Sequence, residues 1–368
     1  MKLVNPYGTP GFLFQQYNNR AELMLVVALR ETFEIDEENG LGLVLPRPPL
    51  SFTDTFDNRG QLIDPADFIP HKPGTDVTVL AQAHSPSGKP ESSWTVAISV
   101  GNREKRLRVH GPRFWRPDPG GGWTMDVADP VASLPLTYTN AFGGPIPRAP
   151  EPRDDIETPQ DRHRFNPAGP GLLHPEHSPR DRPIPAPRIE AEDTPITDWR
   201  ADYTPQGFAP ITPVWRFRQQ YCGTYDQTWL DTRHPFLPLD FDYRFYNCAH
   251  PDLVFEPHLV GGETVELLNL HPVHKRLRFT LPRLAVLAEA RQADGTEKRR
   301  RFAFDGVHID MRPEKPVARL TWRLAFPWPQ GGIDLVTLRP DARVTEEMGR
   351  EPEALPPEDV SSQETSPS

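Results

Sequence analysis

Leu23-Met24-Leu25-Val26-Val27-Ala28-Leu29-Arg30-Glu31-Thr32-Phe33-Glu34-Ile35-Asp36 is the stretch on which the fold turns. Leu25, Val27, Leu29, Phe33 and Ile35 fall on alternate positions, and Arg30, Thr32, Glu34 and Asp36 take the other face. A period of two is that of a strand, here one that enters from a buried centre. Val77, Val79, Ala81 and Ala83 repeat the pattern. Trp94, Val96, Ile98 and Val100 run into Gly101-Asn102, and Leu107 and Val109 then return with Arg106, Arg108 and His110 facing away, which predicts a hairpin. Beyond Gly261 the alternation resumes in Leu277-Phe279-Leu281, in Leu284 to Ala290 before a turn at Ala293-Asp294-Gly295, in Val307-Ile309-Met311 and in Leu320-Trp322-Leu324-Phe326. Short strands at this spacing predict β-sandwich-like parts at both ends of the chain.

Composition agrees. Of 368 residues 46 are Pro, about two and a half times the usual ~5%, and Pro both removes a backbone donor and clashes inside a helix. A mostly β, loop-rich protein is therefore expected. Its 19 Phe, 8 Trp and 8 Tyr suffice for a large core. The formal charge is −10, but residues 344–368 hold seven acids against Arg350 alone, so the rest of the chain is close to balance and carries no nucleic-acid or anionic-membrane footprint. Two cysteines, Cys222 and Cys248, are too few for a disulfide-framed secreted domain. With no apolar run long enough to span a bilayer and no signal segment in Met1 to Pro10, a cytoplasmic location is expected.

The middle differs in kind. Ala141 to Trp215 contains 16 Pro in 75 residues with little alternation, and it is followed by Phe217, Tyr221, Tyr225, Trp229, Phe236, Phe241, Tyr243, Phe245 and Tyr246. So much ring surface predicts an ordered, irregular segment pinned by side chains. The expected organisation is a β-rich part over 1–135, a Pro- and aromatic-rich segment over 136–260 wrapped across both ends, a sandwich-like part over 261–343, and a disordered acidic tail over 344–368.

Motifs for catalysis are missing. His174 with His177 and His271 with His274 have Pro inside each pair, which spoils the helical geometry that would join both rings on one metal, and Cys248-Ala249-His250 is a loose triplet. Cys222 reads as a packing cysteine. Neither a nucleophile elbow nor a phosphate-cradling loop is present, so no cofactor, metal or catalytic residue is assigned. The basic strings Arg103 to Arg108 and Lys298 to Arg301 read as charge that guards hairpin and edge strands against sheet-to-sheet pairing.

The glycine turns are more specific. Asn140-Ala141-Phe142-Gly143-Gly144 and Asn166-Pro167-Ala168-Gly169-Pro170-Gly171 predict sharp bends in which Gly takes positive φ and Asn closes the turn. They either only shape loops or present a rigid recognition surface, with exposed rings and guanidinium groups between Phe142 and Arg218 as the contacts. The block Gly223 to Asn247 is expected to be structural, with Trp229 buried and the carboxylates of Asp240 and Asp242 accepting backbone or Arg hydrogen bonds in the core.

At these residues the chain resembles a bacterial family long classed as a domain of unknown function, found with type VI secretion genes and regarded as adaptors or chaperones. The resemblance runs through Lys72-Pro73-Gly74-Thr75-Asp76-Val77, Gly111-Pro112-Arg113-Phe114-Trp115, Asn140 to Gly144, Asn166 to Gly171, Ile189-Glu190, Gly207 to Pro210, Trp215 to Arg218, Gly223-Thr224-Tyr225-Asp226 with Trp229, and Leu237 to Asp242 with Phe245 and Asn247. Asn140 stands where the family usually has Arg, and Arg188 where it has Asn. The family has no established catalytic residues, so the resemblance implies binding: a cytoplasmic adaptor that holds an effector and docks it on the spike and its PAAR tip. A carbohydrate or cell-wall binding sandwich is the alternative, and a hydrolase using Cys222 or the histidines a remote third.

Overall fold

The computed structural model describes residues 1–38, 40–148 and 161–348. Among the described residues strand accounts for 40% and helix for 8%, in keeping with one Pro in eight. The helices used below, α1 (Arg216–Gln219), α2 (Gln227–Thr232) and α3 (Ala342–Met348), are one or two turns long. The expected tail thus begins within α3, and its part from 349 on lies outside the described residues. No helix among the described residues is long and apolar enough to cross a membrane.

The strands of the three larger sheets are β1 (Lys2–Val4), β2 (Gly11–Tyr17), β3 (Leu23–Asp36), β4 (Gly40–Leu43), β5 (Thr75–Leu80), β6 (Ser93–Val100), β7 (Arg103–His110), β8 (Ile189–Ala191), β9 (Val254–Phe255), β10 (Thr264–Leu268), β11 (Arg276–Thr280), β12 (Val286–Gln292), β13 (Glu297–Arg301), β14 (Ala303–Asp310), β15 (Val317–Pro327) and β16 (Ile333–Pro340). The predicted hairpin is β6–β7, closed by Gly101 at φ +59° and Asn102. A seven-stranded sheet runs β9-β5-β14-β15-β3-β2, with β4 also on β3; a five-stranded sheet runs β8-β7-β6-β10-β11; a four-stranded sheet runs β1-β16-β12-β13. Each of these sheets contains strands from both the first and the last third of the chain. The fully exposed basic strand β13 is a sheet edge, as its charge suggested.

β3 and β15 pair over eleven residues and form a spine long enough to serve two cores. Towards one end Ile35, Leu320 and Trp322 pack with Val96, Ile98, Leu107 and Val265 of the five-stranded sheet. Towards the other, Leu25, Val27, Leu29, Leu324 and Phe326 pack with Val286, Ala288, Val336 and Leu338 of the four-stranded sheet. Part of the Pro-rich middle, with Phe142, Leu173, Ile184, Ile196 and Trp199, builds a third, smaller core together with Trp115 and Trp123 from before it. Phe208, Ala209 and Ile211 insert into the first core, where the Phe208 carbonyl accepts from the Val79 amide at 2.7 Å. The segment is pinned by rings and backbone bonds in place of regular structure.

The second face of the spine is also covered. Leu25 to Thr32 are buried without a break, because residues 50–72 and 241–250 lie over the polar side of the sheet. Charges taken from water are costly unless paired, and three cations on this face, Arg30, Lys72 and Arg323, have carboxylate partners. Arg30 reaches Asp67 at 2.7 Å and Asp64 at 2.9 Å. Arg323 meets Asp305, the residue at which the β14–β15 register shifts, and donates to the Asp67 carbonyl at 2.9 Å. Lys72 Nζ lies 2.8 Å from Asp76, whose carboxylate also accepts from Asn247 Nδ2 at 2.9 Å and from the Cys248 amide at 2.9 Å. Burial opposes the Asp76 charge, but Lys72 and these donors hold its carboxyl below the ordinary range. The cavity among Arg30, Asp64, Lys72, Asp76, His308 and Arg319 is about 30 Å³. That is a tenth of the smallest usual ligand pocket, ~300 Å³, so the network is structural.

Replacing Asp76 by Ala leaves Lys72 buried and unpaired, and urea denaturation is expected to show a loss of about 3 to 5 kcal/mol. His308, bonded to Thr78 Oγ1 at 2.7 Å, has its pKa lowered from 6.5 to about 4 by burial and then by Arg319. The neutral ring therefore contributes stability above its ordinary value, and this is lost as pH falls through about 4. The melting temperature should fall more steeply between pH 6.5 and 4 for the natural chain than for His308→Gln; parallel profiles would refute the assignment.

Candidate protein-docking surface

The two glycine turns are placed face to face. Gly144 N–H donates to the Asn166 carbonyl at 2.7 Å and Gly143 N–H to that of Pro170 at 3.0 Å. Asn166, wholly buried, donates from Nδ2 to the carbonyls of Tyr138 at 2.8 Å and Phe142 at 2.9 Å. A Cβ on Gly144, at φ +83°, would sit 1.5 Å from the Gly169 carbonyl oxygen, so backbone meets backbone with no space left. Ala168 is the one exposed residue of the two turns, while Pro167 is half-buried and Gly171 buried. The Asn140 main-chain carbonyl accepts from the Arg188 amide at 2.7 Å, and its side chain donates from Nδ2 to the Pro135 carbonyl at 2.9 Å.

Glu190 completes this region. Burial alone would raise its carboxyl, but His110 at 2.8 Å, Arg113 at 2.7 Å and the Ile196 amide carry it down to about 2. Trp215 packs edge-on against Tyr138 and Phe217 against Phe165. Most of the large rings between Phe142 and Phe217 are thus engaged inward. The Cys248 thiol is pushed up to about 12 by burial and the neighbouring Asp76, which keeps it protonated and unreactive. His174 and His271 spend their Nδ1 atoms on local amides, and among the described residues no three His, Cys, Asp or Glu converge as metal ligands.

Exposed rings lie elsewhere, along β2. This strand pairs with β3 on one side only, and among the described residues no strand pairs with its outer edge. Phe12 and Phe14 point to one face, as residues two apart must, and meet Phe52 and Phe68 at 5.0 and 4.2 Å between ring centroids. Phe52 is 61% and Phe68 46% exposed. At the far end of the strand Tyr17 packs edge-on against Phe236, beside Leu239, which is 69% exposed.

Phe236 and Leu239 belong to an excursion over residues 223–240 that the sequence placed in the core and the structure places outside it. Asp240 ties its base by accepting from Thr224 N at 3.0 Å and Oγ1 at 2.7 Å, next to Gly223 at φ +78°; Asp226 caps α2 through the Trp229 amide at 2.8 Å. Trp229 packs on Tyr225 and His234 and donates from Nε1 to the Phe236 carbonyl at 2.9 Å. No residue of α2 is buried, Trp229 included; Asp240 is exposed and Asp242 half-buried, where it caps the Arg244 amide at 2.9 Å. Asn19 anchors the excursion to the turn after β2, donating from Nδ2 to the Phe241 carbonyl at 3.1 Å and from its amide to Tyr243 Oη at 3.1 Å. The correction has a simple cause: local caps and ring contacts close this unit upon itself, so its rings need no core. An open strand edge flanked by exposed rings is suited to another polypeptide.

The family described as "Uncharacterized protein conserved in bacteria (DUF2169)" matches residues 20–323, and the chain belongs to it. That span contains every block by which the resemblance was read, from Lys72-Pro73-Gly74 to Asn247. No curated protein and no solved structure matches the chain.

Trp229→Ala is expected to loosen the excursion without unfolding the protein. Hydrogen exchange should rise across 223–240, and the global stability loss should stay below the ~3 to 5 kcal/mol of a buried ring such as Phe208→Ala. Equal losses from the two variants would return Trp229 to the core.

Proposed function

We propose that this protein is a non-enzymatic adaptor that captures a secretion effector in the cytoplasm and assists its loading on the type VI spike and PAAR tip. The observation that carries the reading is the outer edge of β2, unpaired among the described residues and bordered by Phe52, Phe68, Tyr17 and Leu239. Isolated exposed edges and contiguous rings are liabilities that soluble chains usually cover, so their retention together favours a binding role. Support for the secretion setting comes from the motif resemblance. A partner strand laid against β2 would take its backbone hydrogen bonds there and its side-chain contacts from the rings.

Co-expression with the effector encoded beside this gene tests the proposal. The effector should co-purify and gain solubility, through an interface on the order of 1,200 Å² or more. Phe52→Asp combined with Leu239→Asp should lower capture at least ~tenfold with an unchanged melting temperature, because both side chains are exposed and a charge there opposes an apolar partner. An effector equally soluble and equally delivered without this protein would sink the reading, as would undiminished capture by the double variant.

A further inference from the structure

Among the described residues the buried cations are Arg30, Lys72, Lys105, Arg113, Arg218 and Arg323. Each has a carboxylate within ion-pair distance except Arg218: Arg30 has Asp64 and Asp67, Lys72 has Asp76, Lys105 has Asp252, Arg113 has Glu190 and Arg323 has Asp305. Arg218 is 7% exposed. Its Nε donates to the Phe245 carbonyl at 2.8 Å and its Nη1 to the Ile211 carbonyl at 3.0 Å, and it lies 5.3 Å over the Phe245 ring, which fixes the plane of the guanidinium and leaves Nη2 without a hydrogen-bond partner among the described residues. Buried charges are normally paired, so this one calls for an anion.

The place for it is a pocket of about 300 Å³ beside α1, of which Arg218 forms part of the wall. Phe217, Tyr221, Pro251 and Val254 supply apolar surface. Arg103 and Arg244 stand nearby, stacked over Phe255 and Tyr221 at 4.3 and 4.4 Å. Arg244 is already closed on Asp242, and Glu256 on the same wall offsets another charge, so one positive charge is left over. That balance selects a monoanion over a phosphate dianion. The volume, at the small end of the ~300–1,000 Å³ range of ligand pockets, suits one side chain and its charged group.

We infer that this pocket binds a carboxylate carried on an aromatic or aliphatic residue, with Arg218 as the primary contact. The inference stands apart from the adaptor reading, since it concerns a different surface and is tested on the purified protein alone. A guanidinium–carboxylate contact is charge-assisted and weakens when the carboxylate is converted to an amide.

Calorimetric titration of the full chain with N-acetyl-phenylalanine and with its amide tests it, and the acid should bind at least ~tenfold more tightly. A peptide ending in free Phe, and an amidated peptide with an internal Asp-Phe, separate a chain terminus from an acidic side chain as the source; binding of either supports the pocket. Arg218→Met should erase the preference for the acid. Because Arg218 also bridges two loops, Arg103→Gln at the exposed rim serves as the second variant, expected to weaken the acid severalfold and leave the amide unchanged. Equal binding of acid and amide, or no binding of any probe at ~10 mM, would overturn the inference.

Discussion

The carboxylate of Asp76 ties the seven-stranded sheet to the irregular middle of the chain. It sits on β5, inside the seven-stranded sheet, and is out of reach of water. Its charge is held by Lys72 four residues earlier and by Asn247 and the Cys248 amide from the far side of the irregular middle. A buried anion tolerates no loose partner, so residues 247–249 have one position relative to the sheet. From there the Cys248 carbonyl accepts from the Ile211 amide at 2.7 Å, and the Ile211 carbonyl accepts from Arg218. The pocket beside α1 and the ring cluster at 241–246 both hang from that anchor.

Proline explains why such anchors are needed. With helices reduced to one or two turns and no ladder through most of 136–260, backbone groups in the middle have to find partners one at a time. The facing turns at Gly143-Gly144 and Asn166–Gly171 do this with main-chain bonds too close for any side chain, and Glu190 does it by gathering His110, Arg113 and the Ile196 amide. Rings between these anchors complete a core of their own around Trp115 and Trp199. Irregular backbone here is held in place by individual main-chain and side-chain bonds and by covered apolar surface, where a sheet would use a ladder.

The aromatic residues divide into two populations with different consequences. Those from Phe142 to Phe217 are largely engaged inside, which removes them from any partner's reach. Those along β2 and on the 223–240 excursion remain at the surface, held in place by Asn19 and by the caps at Asp226 and Asp240. Rigid, partly exposed rings lose little entropy on contact, which is what a recognition surface requires.

Strand positions along Leu23–Asp36, in the Gly101-Asn102 hairpin and in Val317–Pro327 were legible because side chains on a strand alternate, and alternation survives in a bare sequence. The low helix content followed from Pro, and the tightness of the glycine turns from their need for positive φ. What alternation leaves open is what covers the second face. Arg30, Arg319 and Arg323 look like solvent-facing residues until residues 50–72 and 241–250 close over them, and the pairing of Arg30 with Asp64 and Asp67 joins positions more than thirty residues apart with no periodic signal between them. Trp229 carried the opposite ambiguity: composition marks a large ring as core material, and only the self-closed excursion shows it outside. The missing partner of Arg218 is likewise invisible in one dimension, because an absent carboxylate is a property of a neighbourhood, and neighbourhoods are made by the tertiary fold.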